Sequence, residues 1–151
     1  MSIGVEKVKL NVNAEFIWYY LNSFIRNPYG VAGLMGCLYL VSKMDPKYGF
    51  SNEMSLNLSH VNETERMRSF VHNGNPVGIG CWDNWIDKQG IYNYARIRGR
   101  GCDDILVQLE LLKDDLSMGY RYAKVKYELE NAQSLYEAVD ILRKVFGSNP
   151  F

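Results

Sequence analysis

Most residues of this chain that could do chemistry stand at spacings that exclude it. His60 and His72, with Cys37, Cys81 and Cys102, form no C-x-x-C or H-x-x-x-H set, so neither a metal nor any other cofactor is implied. An odd, widely separated trio of cysteines reads as free thiols in a reducing compartment rather than a disulfide framework. Nothing specific supports a Cys–His nucleophile. Gly78-Ile79-Gly80 lacks the third glycine of a dinucleotide-binding turn. Arg96, Arg98 and Arg100 make a basic tip, either charges that suit the C-terminal end of a helix dipole or an anion site. The segment Val77-Gly78-Ile79-Gly80-Cys81-Trp82-Asp83-Asn84-Trp85 sets two tryptophans around Asp83. Aromatics fill a core, stack on sugar faces or line interfaces, and a lone carboxylate fits a solvated charge.

The elements that must position this segment are mainly helical. Asn13-Ala14-Glu15 opens a helix with Phe16, Ile17, Tyr20, Leu21 and Phe24 on one face. Asn27-Pro28 interrupts it, and proline suits the first turn of a second helix, whose stripe is Val31, Leu34, Met35, Leu38 and Val41. Gly30, Gly33 and Gly36 recur every third residue. Each weakens a helix by roughly 0.8–1 kcal/mol relative to alanine, a cost that points to another element packed closely against them. Asp45-Pro46 is expected to end this helix.

Met54-Ser55-Leu56-Asn57-Leu58-Ser59 alternates apolar and polar residues and predicts a short strand, half of a hairpin. Further helices are predicted over 62–71, over 86–98 up to the break at Gly99, along the stripe Ile105, Leu109, Leu112 and Leu116, and over 120–130. Ser134 and Glu137 form a capping box for the last helix, with Gly147 as its stop. The expected fold class is mainly α (α+β), a single domain over 1–151 with a small β-hairpin element after the second helix.

Composition narrows the function classes. Seventeen basic residues balance seventeen acidic ones, which removes the global field expected of a nucleic-acid binder. No apolar run reaches spanning length, because Asn22, Arg26 and Lys43 interrupt the richest stretch, so no membrane insertion is expected. Met1 to Asn13 has no continuous apolar segment, so no secretory signal peptide is expected. Eleven tyrosines supply buried area with polar tips at the surface, which accounts for most of them, and aromatics can also stack on sugars or line interfaces.

The second helix carries a resemblance. Gly33-Leu34-Met35-Gly36-Cys37-Leu38-Tyr39-Leu40-Val41-Ser42-Lys43-Met44-Asp45-Pro46 resembles the signature helix of the phage-tail lysozyme family, A-G-I-M-G-N-L-x-x-E-S-x-x-N-P. Phe16-Ile17-Trp18-Tyr19-Tyr20-Leu21 is similar to that family's I-W-x-x-L opening, and the Val77–Trp85 loop to its G-Y-G-L-x-Q-W. Ile91-Tyr92-Asn93-Tyr94-Ala95-Arg96-Ile97-Arg98-Gly99 is similar to L-L-x-Y-A-K-x-K-G, and Gln108-Leu109-Glu110-Leu111-Leu112 to Q-L-E-F-L. The pieces keep their order along nearly the whole chain. The resemblance implies a lysozyme-like domain in which the β element forms one wall of a saccharide cleft, with peptidoglycan as the substrate class.

It also implies a loss. Val41 stands where the family has the glutamate that protonates the sugar leaving group, a task that needs a raised pKa. Ser42 keeps the serine that follows. In an ungapped register Asp83 falls on the usual glutamine and Asn84 on the usual tryptophan. On its own stripe Val41 reads as a core valine, and a partly buried glutamate without a use would be costly. Exchanging function for stability in this way is the pattern of a retired active site.

Asp45, Glu53 and Asp83 are the carboxylates that could supply a relocated acid, since a glycosidase needs a donor at the glycosidic oxygen and usually a second carboxylate opposite. Each also fits a solvated or turn residue. The expectation is a catalytically inactive protein of phage or mobile-element origin. It would bind a cell-wall saccharide or peptide, or a protein partner, through Tyr39, Ser42, Gly78, Gly80, Trp82, Asp83 and Trp85. The alternatives are an active peptidoglycan glycosidase and a phage-encoded protein-binding inhibitor or regulator. The expected location is the cytoplasm of the producing cell, or carriage on a virion.

Overall fold

Asn27-Pro28 divides the first apolar stretch into two helices, as the sequence predicts. The computed structural model describes residues 2–50, 63–118 and 123–146. Among them run the helices α1 (Ser2–Ile25), α2 (Pro28–Ser42), α3 (Glu63–Val71), α4 (Trp85–Arg98), α5 (Ile105–Met118), α6 (Ala123–Glu130) and α7 (Leu135–Phe146). The described residues are thus mainly helical, and their only β pairing is an isolated antiparallel bridge between Val77 and Trp82. No β-hairpin follows α2 among them; the predicted Met54–Ser59 strand lies outside the described residues. None of the described helices is long and apolar enough to cross a membrane.

Helix boundaries shift where local signals were read too strictly. α1 begins at Ser2 instead of Asn13, because no proline stands in that stretch to stop the helix. α2 ends at Ser42, before Asp45-Pro46. Lys43 takes a left-handed φ of 55° and closes the helix with its N–H on the Tyr39 carbonyl, 2.8 Å away. At α7 the Ser134 hydroxyl accepts from Glu137 N at 3.0 Å. The Glu137 carboxylate reaches back to Gln133 N at 3.1 Å, one residue before the expected partner.

α2 is central, packed along α7 and flanked by α1 and α6, while α4 lies between α3 and α5. Two of its three regularly spaced glycines explain that packing. A Cβ on Gly30 would overlap the Leu129 carbonyl of α6, and one on Gly33 would fall 2.7 Å from the Ala138 Cβ of α7. Gly36 meets nothing within 4 Å. The core joins Ile17, Leu21 and Ile25 to Val31, Leu34 and Leu38, and these to Leu112, Leu116 and Leu142. Val41 departs from its expected place in that stripe. It is half-buried, at the rim where α2 ends.

The α1–α2 junction is held by one side chain. Asn27 caps α2 by accepting from Tyr29 N at 3.0 Å. Its amide nitrogen lies 2.9 Å from Leu129 O and 3.0 Å from Glu130 O, at the carbonyl end of α6, and 2.8 Å from Ala132 O just beyond it. Just before it, Arg26 is left-handed, with φ 56°. That conformation costs a non-glycine residue roughly 1–2 kcal/mol, and a cation at a helix C-terminus offsets only about 0.3–1 kcal/mol of it. Folding alone therefore favours glycine at position 26.

The glycine contacts set a paired expectation for denaturant unfolding. Gly36→Ala should stabilise the protein by roughly 0.8–1 kcal/mol, since it removes a helical glycine into open space. Gly30→Ala should destabilise it by about 1–3 kcal/mol through overpacking on α6.

Candidate functional site

The functional candidates gather where α2 ends. Ser42 is buried, and its hydroxyl lies 2.9 Å from Leu38 O and 2.7 Å from Ile79 O. The first contact is the ordinary back-bond of a helical serine; the second ties the helix to a loop 37 residues on. The Ser42 oxygen also accepts from Met44 N at 3.2 Å. The chain then reverses through Lys43 and Met44, with φ 55° and 57°, and Tyr48 offers its carbonyl to Gly78 N at 2.9 Å.

The glycine loop is a closed turn. Val77 and Trp82 exchange backbone hydrogen bonds of 3.0 and 2.9 Å, and Cys81 N donates to Gly78 O at 3.0 Å. Gly78 has φ 78°, and a Cβ there would fall 2.8 Å from the Gln108 side-chain oxygen. The Trp82 indole lies so close to Gly80 that a Cβ would overlap it.

Gln108, on α5, has no exposed surface. Its Oε1 accepts from Ile79 N at 2.9 Å, while its Nε2 donates to Pro46 O at 2.7 Å and Cys102 O at 3.0 Å. One amide thus joins the exit of α2, the glycine turn and the loop before α5. Of the four left-handed non-glycine residues among those described, Lys43, Met44 and Cys81 lie here. Such conformations cost about 1 kcal/mol or more each and persist where surrounding contacts over-determine them.

The predicted site residues fare differently. Ser42, Gly78 and Gly80 are brought together. Trp82 is buried under the turn it follows, so it supports the loop and offers no face to a ligand. Tyr39 and Trp85 are exposed. Trp85 lies beside His72, ring centres 6.4 Å apart, and no described hydrogen bond or ring contact joins either aromatic to the turn. Asp83 is exposed, and its charge, after burial, helps push the Cys81 thiol up. Asn84, on the family's tryptophan position, caps α4 by accepting from Asp87 N at 2.9 Å.

Among the fallback acids, Asp45 is a turn residue whose carboxylate accepts from Lys47 N at 2.9 Å, and Glu53 lies outside the described residues. Burial does push the Asp114 carboxyl up, but its charge bears on Tyr20 of α1, not on the turn. The arginine tip is an ion-paired helix end. Arg98 meets Glu110 at 3.1 Å and Arg100 meets Asp104 at 3.0 Å. The cysteines are unpaired, and burial with the neighbouring Asp103 charge pushes the Cys102 thiol up to about 12.

Gln108, which the sequence singles out only through its likeness to Q-L-E-F-L, and Lys88 take buried roles that their residue types alone did not announce. Gln108 stands among Ile105, Leu109 and Leu112, and Lys88 stands at helical spacing from Ile91 and Ala95. A polar side chain on an apolar stripe was the signal in both cases. Lys88 has no exposed surface; its Nζ donates to Asn73 Oδ1 at 2.6 Å and sits 5.7 Å from the Phe70 ring centre. Burial pulls its pKa below 10.5, against the opposing effect of Asp83. No protein family, curated protein or solved structure matches this chain.

Gln108→Ala should cost about 3 kcal/mol or more in denaturant unfolding, because three backbone groups lose a buried partner worth roughly 1–3 kcal/mol each. For Lys88 the sign follows from linkage. Between its lowered folded pKa and the unfolded value near 10.5, the unfolded chain binds more protons, so native stability rises with pH in that window. The wild-type Tm measured against Lys88→Met should therefore climb as pH approaches about 10.5; a flat difference would contradict the burial effect.

Proposed function

We propose that this chain is a diverged lysozyme-like protein, of phage or mobile-element origin and related to the phage-tail lysozymes, that holds a cell-wall saccharide beside the end of α2 without cleaving it. The observation that carries the reading is a frame kept while its acid is missing. Ser42, the glycine turn and Gln108 are joined by buried hydrogen bonds, and the neighbouring Val41, half-buried at the rim, has no proton to give. Three left-handed residues around that frame support it as a recognition element rather than a passive connection, because strain of this kind collects at functional sites.

The nearest predicted acid, Asp45, is held by its own turn, which argues against a relocated donor. Tyr39 and Trp85 keep exposed rings, and aromatic faces are the usual platforms for the apolar faces of sugars.

Purified protein should co-sediment with insoluble peptidoglycan while leaving the turbidity of a cell-wall suspension unchanged. Replacing Tyr39 and Trp85 together by alanine should weaken co-sedimentation several-fold, on the order of one stacking contact each. Lysis by the wild type that Glu53→Gln or Asp83→Asn abolishes would overturn the noncatalytic reading. Failure to bind peptidoglycan would overturn the saccharide reading and leave a protein partner as the occupant.

A further inference from the structure

We propose that the groove between the C-terminal ends of α1 and α6 and the C-terminal half of α5 is a second binding site, for a phosphate monoester carried on a sugar-sized scaffold. The groove has a volume of about 680 Å³ and is lined by Arg26, Lys113 and Lys126, with Glu130, Ser117 and Asn131. It shares no lining residue with the Ser42–Gln108 site. The fifteen residues of α2 separate the two by about 22 Å of helical rise.

The charge selects the ligand. Three cations face one carboxylate, and that carboxylate is already paired with Lys126. Among the described residues no acid pairs with Arg26 or Lys113; Lys113 sits 5.9 Å from the Phe24 ring centre. The excess of two positive charges matches a phosphate monoester, which carries about −1.5 to −2 at neutral pH, better than a single carboxylate. Phosphate alone would fill little of this volume, which lies in the roughly 300–1,000 Å³ range of small-molecule sites. Asn131 spends its amide nitrogen on Tyr127 O at 2.8 Å, leaving its oxygen to accept from a ligand hydroxyl, and Ser117 adds a second polar contact.

Arg26 is the key to the assignment. It holds a left-handed conformation that glycine would adopt freely, yet the position carries an arginine, and that arginine lines the groove. The groove lies at helix C-termini, whose dipoles disfavour an anion. The adjacent Asn27 amide donates to the Leu129 and Glu130 carbonyls and turns those two acceptors away from a ligand, so the three cations must supply the attraction.

Titration of the full chain with glucose 6-phosphate, inorganic phosphate and glucose, followed by calorimetry and amide chemical shifts, tests this. Glucose 6-phosphate should bind tightest and inorganic phosphate more weakly, while glucose gives no measurable signal; raising salt should weaken the first two. Arg26→Gly should weaken glucose 6-phosphate binding about tenfold, the loss of one charge-assisted contact, with Tm unchanged or raised because strain is relieved. Lys113→Gln should weaken it similarly. Binding unaffected by either substitution, shifts confined to residues 42–48 and 77–82, or no binding of either phosphate would each overturn the proposal. None of these outcomes depends on whether the protein binds peptidoglycan.

Discussion

The buried amide of Gln108 is the constraint on which the rest of this site depends. An amide that is fully enclosed must satisfy its own donors and acceptor, and it does so on three backbone segments far apart in sequence, at Pro46, Ile79 and Cys102. Without it the Ile79 N–H would be a buried donor lacking this partner, and the part-buried Pro46 and Cys102 carbonyls would lose theirs. Because the amide is planar, its oxygen and nitrogen point in fixed opposite senses, so the Ile79 N–H and the Pro46 carbonyl are held in one relative orientation. Gly78 follows from this: no side chain fits between the turn and the Gln108 oxygen.

Ser42 completes the frame from the other side. It satisfies the Ile79 carbonyl while Gln108 satisfies the Ile79 N–H, so one residue of the turn is fixed at both its backbone polar groups. Lys43 and Met44 can then stay left-handed, since relaxing them would pull Ser42 away from the turn. The same logic operates at the opposite end of α2. There Asn27 ties the helix start to the carbonyl end of α6, and Arg26 bears the strain. At each end of α2 a buried polar side chain holds the geometry while neighbouring residues adopt conformations that folding alone would not select.

Much of this was legible in the sequence, and the failures have physical causes. The Asn27-Pro28 boundary, the α5 and α7 stripes and the close approach at Gly30 and Gly33 follow from local chemistry and helical period, and the structure shows them. Gly36 looked identical in the repeat but faces open space, because spacing by three drifts around a helix of 3.6 residues per turn. Val41 keeps the angular position of the stripe and is half-buried because α2 ends one residue later. Trp82 could not be placed from its type, since an aromatic suits a sugar and a core equally well; only the bend of the turn puts its ring beneath Gly80. Gln108 and Lys88 were visible as polar interruptions of apolar stripes. Their partners were not, because those partners are backbone or loop groups 6 to 62 residues away that no helical period brings into register.

The exposure of position 41 bears on what the locus can do. A carboxyl becomes a proton donor near neutral pH only if burial or neighbouring negative charge raises its pKa, and a half-buried rim position supplies part of the burial at most. A glutamate here would need a bound sugar to exclude water before it became an effective acid. Valine has the converse property. Its isopropyl group at a half-exposed rim gains from being covered by the apolar face of a sugar ring, about 25 cal/mol per Å² removed from water, and loses nothing electrostatically. The partial exposure that makes position 41 a poor place for an isolated acid therefore makes it a good place for an apolar contact.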